Sequence, residues 1–365
     1  MMRVHGGRVY EYAEAHDAAW SEIADFSANI NPLGPPPAVL RAVTGSLGQI
    51  RHYPDARHQA VKRVLSQRFG VEPERIVCGN GATEALALLL EALRPQRLMV
   101  LTPAFQGYEA AARRLHIPVL KVPLWQDGGV AFSQLTLVQS LQCGDAVIVN
   151  NPHNPTGYAF TARELAELAE VLQERGVHLI VDESFMDFLP DQERWSVLPL
   201  TRKIASLSVL RSATKMYAIP GLRFGFAVCA ADLAAQIERV RDGWSVNQLA
   251  QVAAVAAYQG VGFDEQTWTW LKEETSWLYT TWGRHSLIEL QPPHANFFLV
   301  QIKQGGLARK LLRHLEQQRV YLRGMAGFEL LDDTFLRVAI QTRGQNERLW
   351  RAVEGFVAAT AQAKE

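Results

Sequence analysis

The chain is poor in cysteine: Cys78, Cys143 and Cys229 are the only three in 365 residues. They are widely spaced and form no Cys-x-x-Cys pair, which argues against a disulfide framework and against the common zinc motifs. None of the ten histidines falls in a His-Glu-x-x-His pattern, so no metal site is expected. Long apolar runs are missing too. Nothing approaches the roughly 18 uninterrupted apolar residues of a membrane helix. The start, Met1-Met2-Arg3-Val4-His5-Gly6-Gly7, turns polar at once and offers no signal core. Charge of one sign is lacking: 37 Lys+Arg balance 37 Asp+Glu, so no global attraction to nucleic acid or an anionic membrane is expected. Low-complexity tracts and internal repeats are absent. These absences predict a soluble, cytoplasmic protein with reduced thiols and with neither nucleic acid nor membrane as partner.

What is present is ordinary for a globular enzyme, 48% hydrophobic and 20% charged residues. The length suits one large domain and one smaller one. Asn31-Pro32-Leu33-Gly34-Pro35-Pro36-Pro37 fits neither helix nor central strand and sets off an N-terminal arm, residues 1–40. Beyond it, short apolar runs alternate with helical patterns. Candidate strands are Arg97–Leu101, Ala146–Asn150, His178–Asp182, Ile204–Leu210 and Phe224–Cys229. Thr161-Ala162-Arg163-Glu164 reads as a capping box, Leu165, Leu168, Ala169 and Leu172 share one helical face, and Gly176 stops that helix. Such alternation predicts an α/β domain, residues 41–285, with a mainly parallel sheet covered on both faces. Ligands of such sheets bind beyond the strands' C-terminal ends. From residue 286 a small α+β domain is expected, with strands Asn296–Gln301 and Phe335–Ile340 around a helix Leu307–Gln318. The Trp-rich segment Asp264–Arg284 is read as a connecting helix whose aromatics serve packing.

Four segments carry chemistry. Ser212-Ala213-Thr214-Lys215, followed by Ile219-Pro220-Gly221-Leu222-Arg223, sets a lysine after an apolar strand among small and hydroxyl residues. A solvated surface lysine is the common case, but a partly desolvated one can form a Schiff base with an aldehyde. Ser212 and Arg223 suit a phosphate dianion. Val181-Asp182-Glu183-Ser184-Phe185 ends a buried strand with a carboxylate that serves equally as a helix cap or as an ion-pair partner. Asn151-Pro152-His153-Asn154-Pro155-Thr156-Gly157 is a proline turn able to aim an amide. Gly79-Asn80-Gly81-Ala82-Thr83-Glu84 runs small residues into a helix N-terminus, a ready phosphate site.

In this order on an α/β scaffold, the four segments resemble the fold-type I pyridoxal 5′-phosphate (PLP) enzymes of the aspartate aminotransferase superfamily, over nearly the whole chain. The resemblance implies an aspartate-aminotransferase-like large domain with a smaller α+β domain, the arm contributing to the latter and to the active site. It makes Lys215 the Schiff-base lysine and Asp182 the partner of the pyridine nitrogen. Asn154 would bond the ring's 3′ oxygen, and Gly81, Ala82, Thr83, Ser212 and Arg223 would hold the cofactor phosphate. Tyr108 would stack on the ring. Tyr53 would reach the cofactor of a neighbouring subunit, which implies a homodimer. Arg337 matches the arginine that binds the substrate carboxylate, and His5 and Arg323 are further candidates for the substrate's anions. Phe185 departs from the pattern, standing where many relatives place a tyrosine.

Two branches of the superfamily fit best, the histidinol-phosphate aminotransferases and the threonine-phosphate decarboxylases of cobalamin biosynthesis. His5-Gly6-Gly7, Asp25–Gly34, Asp182–Phe188 and Trp244-Ser245-Val246-Asn247 look like the decarboxylases. That resemblance implies loss of CO2 from L-threonine O-3-phosphate to give (R)-1-amino-2-propanol O-2-phosphate. A regulatory role is disfavoured, because there is no basic helix-turn-helix pattern and Lys215 and Asp182 are both retained.

Overall fold

Runs of β-branched and aliphatic residues form a seven-stranded sheet, and their near-total burial shows where it lies in the fold. The computed structural model describes residues 6–126 and 128–362. The strands are β1 (Ile76–Gly79), β2 (Leu98–Thr102), β3 (Val119–Pro123), β4 (Ala146–Asn150), β5 (His178–Asp182), β6 (Leu207–Ser212) and β7 (Gly225–Val228). Their order across the sheet is β1-β7-β6-β5-β4-β2-β3, with β7 alone antiparallel to its neighbours. Every residue of β2, β4 and β6 is buried. Successive side chains of a strand point to opposite faces, so both faces are covered.

Helix α1 (Ala82–Leu93) puts Leu86, Leu89 and Leu90 into a core with Val100, Ile148, Ile180 and Leu210. Helix α2 (Ala162–Glu174) starts with the expected capping box. The Thr161 hydroxyl accepts from the Glu164 amide, and the Glu164 carboxylate accepts from the Thr161 amide. Leu165, Leu168, Ala169 and Leu172 form its buried face, and Gly176 follows with φ 68°.

The chain divides into two units. The larger comprises Leu33–Asn154 and Tyr158–Thr267. The smaller takes the chain before Leu33, Pro155–Gly157, and everything from Trp268 on. In the smaller unit β8 (Ile288–Leu290), β9 (Phe297–Ile302), β10 (Arg323–Gly324) and β11 (Phe335–Ala339) form an antiparallel sheet in the order β8-β9-β11-β10. Helix α4 (Leu307–Gln317) buries Leu311 and Leu315 with Phe298, Val300, Leu336 and Val338. Trp270, Trp277 and Trp282, from the helix Phe263–Trp282, join the same core, so this aromatic stripe is packing.

Strand ends differ from the sequence expectation by up to three residues. β6 starts at Leu207, because a 3-10 turn Leu198–Arg202 continues into a bond from the Ile204 amide to the Leu200 carbonyl. Pro37 is the first residue of a helix, Pro37–Gly45. At that position the missing N–H has no intrahelical partner to lose, so proline is tolerated. Strand β3 carries no continuous apolar run because it lies at the sheet edge with three of five residues exposed.

Candidate active site

Parallel pairing brings the chemistry-bearing segments to one end of the sheet. Asn150 lies opposite Asp182, and Asp182 opposite Leu210, two residues before Ser212. The C-terminal ends of β4, β5 and β6 therefore present Asn150, Asp182 and Ser212 side by side. Lys215 is half-buried on the short helix α3 (Ala213–Met216), which leaves β6 directly. Ser212 caps that helix: its Oγ accepts from the Thr214 amide and lies 2.7 Å from the Thr214 hydroxyl.

The Asp182 carboxylate is held on both oxygens. Oδ2 accepts from the Tyr108 hydroxyl at 2.6 Å. Oδ1 accepts from the Ser184 amide at 3.0 Å and the Ser184 hydroxyl at 2.5 Å. Tyr108 is 3% exposed and Asp182 8%. Burial first, then the Asp182 charge and the bond to it, raise the Tyr108 hydroxyl well above its usual range, so it stays a donor.

Asn154 stands in the turn after β4, its backbone N–H donating to Asn150 Oδ1 at 2.8 Å. Asn150 in turn donates from Nδ2 to the Asp182 carbonyl at 2.8 Å. This turn is thereby tied to the strand bearing the carboxylate. His153 is buried, and burial lowers its imidazole to about 4, so it is neutral near pH 7.

Residues expected to hold a phosphate also come together within this unit. Gly81 has φ 80°, and a Cβ there would lie 2.5 Å from the Arg223 guanidinium. A Cβ on Gly225 would lie 2.3 Å from the Ala82 amide nitrogen. The two glycines keep side chains away from the first turn of α1, Ala82-Thr83-Glu84, and let Arg223 approach it. The opening N–H groups of a helix lack intrahelical acceptors and its dipole favours an anion. With Ser212 and the Arg223 guanidinium, this donor set fits a phosphate dianion.

Tyr53 is 77% exposed and stacks on Trp244, ring centroids 4.4 Å apart at 24°. Its segment is held from the far side: Arg241 donates to the Ala56 carbonyl and Gln251 to the Asp55 carbonyl.

In the smaller unit Arg323 and Arg337 lie directly opposite each other on β10 and β11. Both are buried. Burial, then the neighbouring Arg323 charge, push the Arg337 guanidinium down to about 9, with Asp25 opposing. Arg337 donates to the Ser27 carbonyl at 2.5 Å. The Ser27 hydroxyl donates to Asp25 at 2.7 Å and accepts from the Gly7 amide at 2.9 Å. A Cβ on Gly6 would lie 2.2 Å from the Ser27 carbonyl oxygen. His5 lies outside the described residues.

Sequence reading missed a buried ion pair behind this end of the sheet. Arg211 bonds Glu183 at 2.9 Å and Asp187 at 2.6 Å, all within the core. Ser196 and the Val197 amide complete the Glu183 carboxylate. A lone arginine within the apolar run of β6 was the available signal. Ser184 carries no signal of its own in the sequence, because a serine two residues after an aspartate reads as an ordinary turn.

A mostly parallel sheet that sets an aspartate and a lysine on adjoining strand ends, with a glycine-lined helix N-terminus, defines an α/β enzyme of the aminotransferase fold. The chain belongs to the aminotransferase class I and II family, whose model matches residues 21–355. It is 34% identical to the threonine-phosphate decarboxylase of Salmonella typhimurium over 360 residues, 98% of each chain. It is 32% identical to the histidinol-phosphate aminotransferase of Moorella thermoacetica, covering 92% of this chain and 86% of that one. Among solved structures, the L-threonine-O-3-phosphate decarboxylase of Porphyromonas gingivalis superposes with TM-score 0.80 at 25% identity, covering 91% of this chain and 99% of that one.

Proposed function

We propose that the chain is a PLP-dependent decarboxylase that converts L-threonine O-3-phosphate to (R)-1-amino-2-propanol O-2-phosphate for cobalamin biosynthesis. The full-length likeness to the Salmonella decarboxylase carries this reading. The donor set at the end of the larger sheet supports the cofactor.

Bound PLP supplies an electron sink for the bond broken at the substrate's Cα. The first turn of α1 (Gly81, Ala82, Thr83), Ser212 and Arg223 hold its phosphate. Asn154 bonds its 3′ oxygen, and Tyr108 packs on its ring. Asp182 keeps a proton on the ring nitrogen. Lys215 would hold the cofactor, and its Nζ would return a proton to the substrate's Cα. Arg323 and Arg337, with His5, take the substrate's carboxylate and phosphate. By anchoring the carboxylate, these residues would orient the substrate so as to favour decarboxylation over proton removal.

The active species is a homodimer in the cytoplasm, with Tyr53 serving the neighbouring subunit's cofactor. Its support is the exposed Tyr53–Trp244 stack, flanked in sequence by exposed Leu47 and Ile50. No helix among the described residues is long and apolar enough to cross a membrane.

Product analysis tests the reading. O-phospho-L-threonine should release CO2 and an amine phosphate without an oxo acid. Histidinol phosphate with 2-oxoglutarate should give little glutamate. Rapid glutamate without CO2 would establish the aminotransferase instead.

A further inference from the structure

We infer that Ser184 and the Tyr108 hydroxyl are positioning residues that fix the Asp182 carboxylate on the cofactor's ring nitrogen. The inference rests on the reading of Asp182 as that nitrogen's partner and adds the groups that orient it. A carboxylate on a terminal sp³–sp² torsion rotates easily, since that torsion has broad wells. An ion pair with a ring nitrogen needs one oxygen aimed along the N–H direction, so free rotation would cost both affinity and proton retention. Here rotation is stopped from two sides by elements that are distant in sequence. The Tyr108 hydroxyl arrives from the helix Gly107–Arg114 and engages Oδ2 at 2.6 Å. The Ser184 amide and hydroxyl rise from the chain just beyond β5 and engage Oδ1 at 3.0 and 2.5 Å.

The two anchors differ in kind. The Ser184 amide bond belongs to the turn and survives any side-chain change. The two hydroxyls are separable additions, each removable by deleting one oxygen atom. Tyr108 therefore has a role apart from its aromatic face. A phenylalanine would keep the ring and lose the grip on Oδ2. The sites remain buried either way, so an Asp182 left by the double change with the Ser184 amide alone would be held on one oxygen only, with no water to replace the missing donors.

The test uses the full-length enzyme loaded with PLP labelled with 15N at the ring nitrogen. Parent, Ser184→Ala, Tyr108→Phe, the double variant, Ser184→Thr and Asp182→Asn are compared by 15N NMR at one pH and by the dissociation constant for PLP. A charge-assisted hydrogen bond predicts about a tenfold weaker PLP dissociation constant for each hydroxyl removed. The ring-nitrogen resonance should move toward the unprotonated position, furthest in the double variant. Ser184→Thr, which retains the hydroxyl, should match the parent. If Asp182→Asn moves the resonance and the double variant does not, the positioning role is refuted while Asp182 keeps its own. If Asp182→Asn leaves the resonance unmoved, the assignment of Asp182 fails, and the inference with it.

Discussion

Replacing Arg337 by methionine should make the cofactor-free protein more stable while removing its activity. The guanidinium is buried and faces the charge of Arg323 across the sheet, and those two causes hold it down to about 9. At about 1.4 kcal/mol per tenfold, a drop of this size from the ordinary arginine range sets an upper bound of several kcal/mol on the cost of keeping the charge. The bond to the Ser27 carbonyl offsets part of it. Methionine has comparable reach and no charge, and exchanging a buried charge for a packed apolar group commonly gains about 1–4 kcal/mol. A folded-state value below the unfolded one means the penalty is present in full below about pH 9. It fades as pH rises from there toward the ordinary arginine range. An assay at about pH 7.5 reads all of it.

Thermal unfolding of the cofactor-free chain should therefore show a higher midpoint for Arg337→Met. Removal of a buried partner of the substrate's anion costs about 3–5 kcal/mol, so kcat/KM for O-phospho-L-threonine should fall by roughly two to four orders of magnitude. Inorganic phosphate should raise the midpoint of the parent more than that of the variant. A lower midpoint for Arg337→Met would refute the reasoning, since it would make the arginine a structural brace.

The same substitution at Arg211 should have the opposite sign. Arg211 is wedged between buried Glu183 and Asp187, so Arg211→Met strands two carboxylates and should cost about 3–5 kcal/mol in denaturant unfolding; an unchanged midpoint would show that the pair is dispensable. Borohydride reduction of the loaded enzyme followed by peptide mapping should label Lys215, and Lys215→Ala should abolish both label and turnover; a label on another lysine would reassign the site. Tyr53→Phe should weaken PLP retention in a protein that light scattering finds dimeric, and a fully active monomer would rule out the cross-subunit role.

Much of the cofactor side of the site was legible because its residues sit at the ends of apolar strands. Asp182 closes β5, and Lys215 follows β6 by three residues. A polar residue that interrupts such a run has lost its simplest explanation, burial, and the parallel order of the strands gathers these interruptions at one edge. Gly81 was legible only as a small residue running into a helix N-terminus; the structure adds the reason, a positive φ and a closeness to Arg223 that leave no room for a side chain. The less legible features depend on register and not on local pattern. Arg323 and Arg337 are fourteen positions apart, and only the antiparallel pairing of β10 with β11 makes them neighbours. Arg323 falls at a strand end, where a solvated arginine is the ordinary case, yet it is buried.

This asymmetry bears on which reaction is catalysed. The groups proposed for the cofactor come from contiguous segments, and they would serve decarboxylation and transamination alike. Choosing between the two requires the substrate's carboxylate to be held in one orientation, a task for residues brought together by pairing across a sheet. Phe185, buried and without a hydroxyl, stands where many relatives place a tyrosine, and on the proposed reading it would leave Asn154 alone to serve the ring oxygen. That change alters how strongly a proton is held near the ring but leaves the carboxylate's orientation untouched. Specificity should accordingly respond to changes at Arg323 and Arg337 far more than to Phe185→Tyr. The ratio of CO2 to glutamate formed by Phe185→Tyr should stay within about threefold of the parent, under the 1.4 kcal/mol that separates tenfold outcomes. A switch to transamination in that single variant would place the control of reaction type beside the ring oxygen instead.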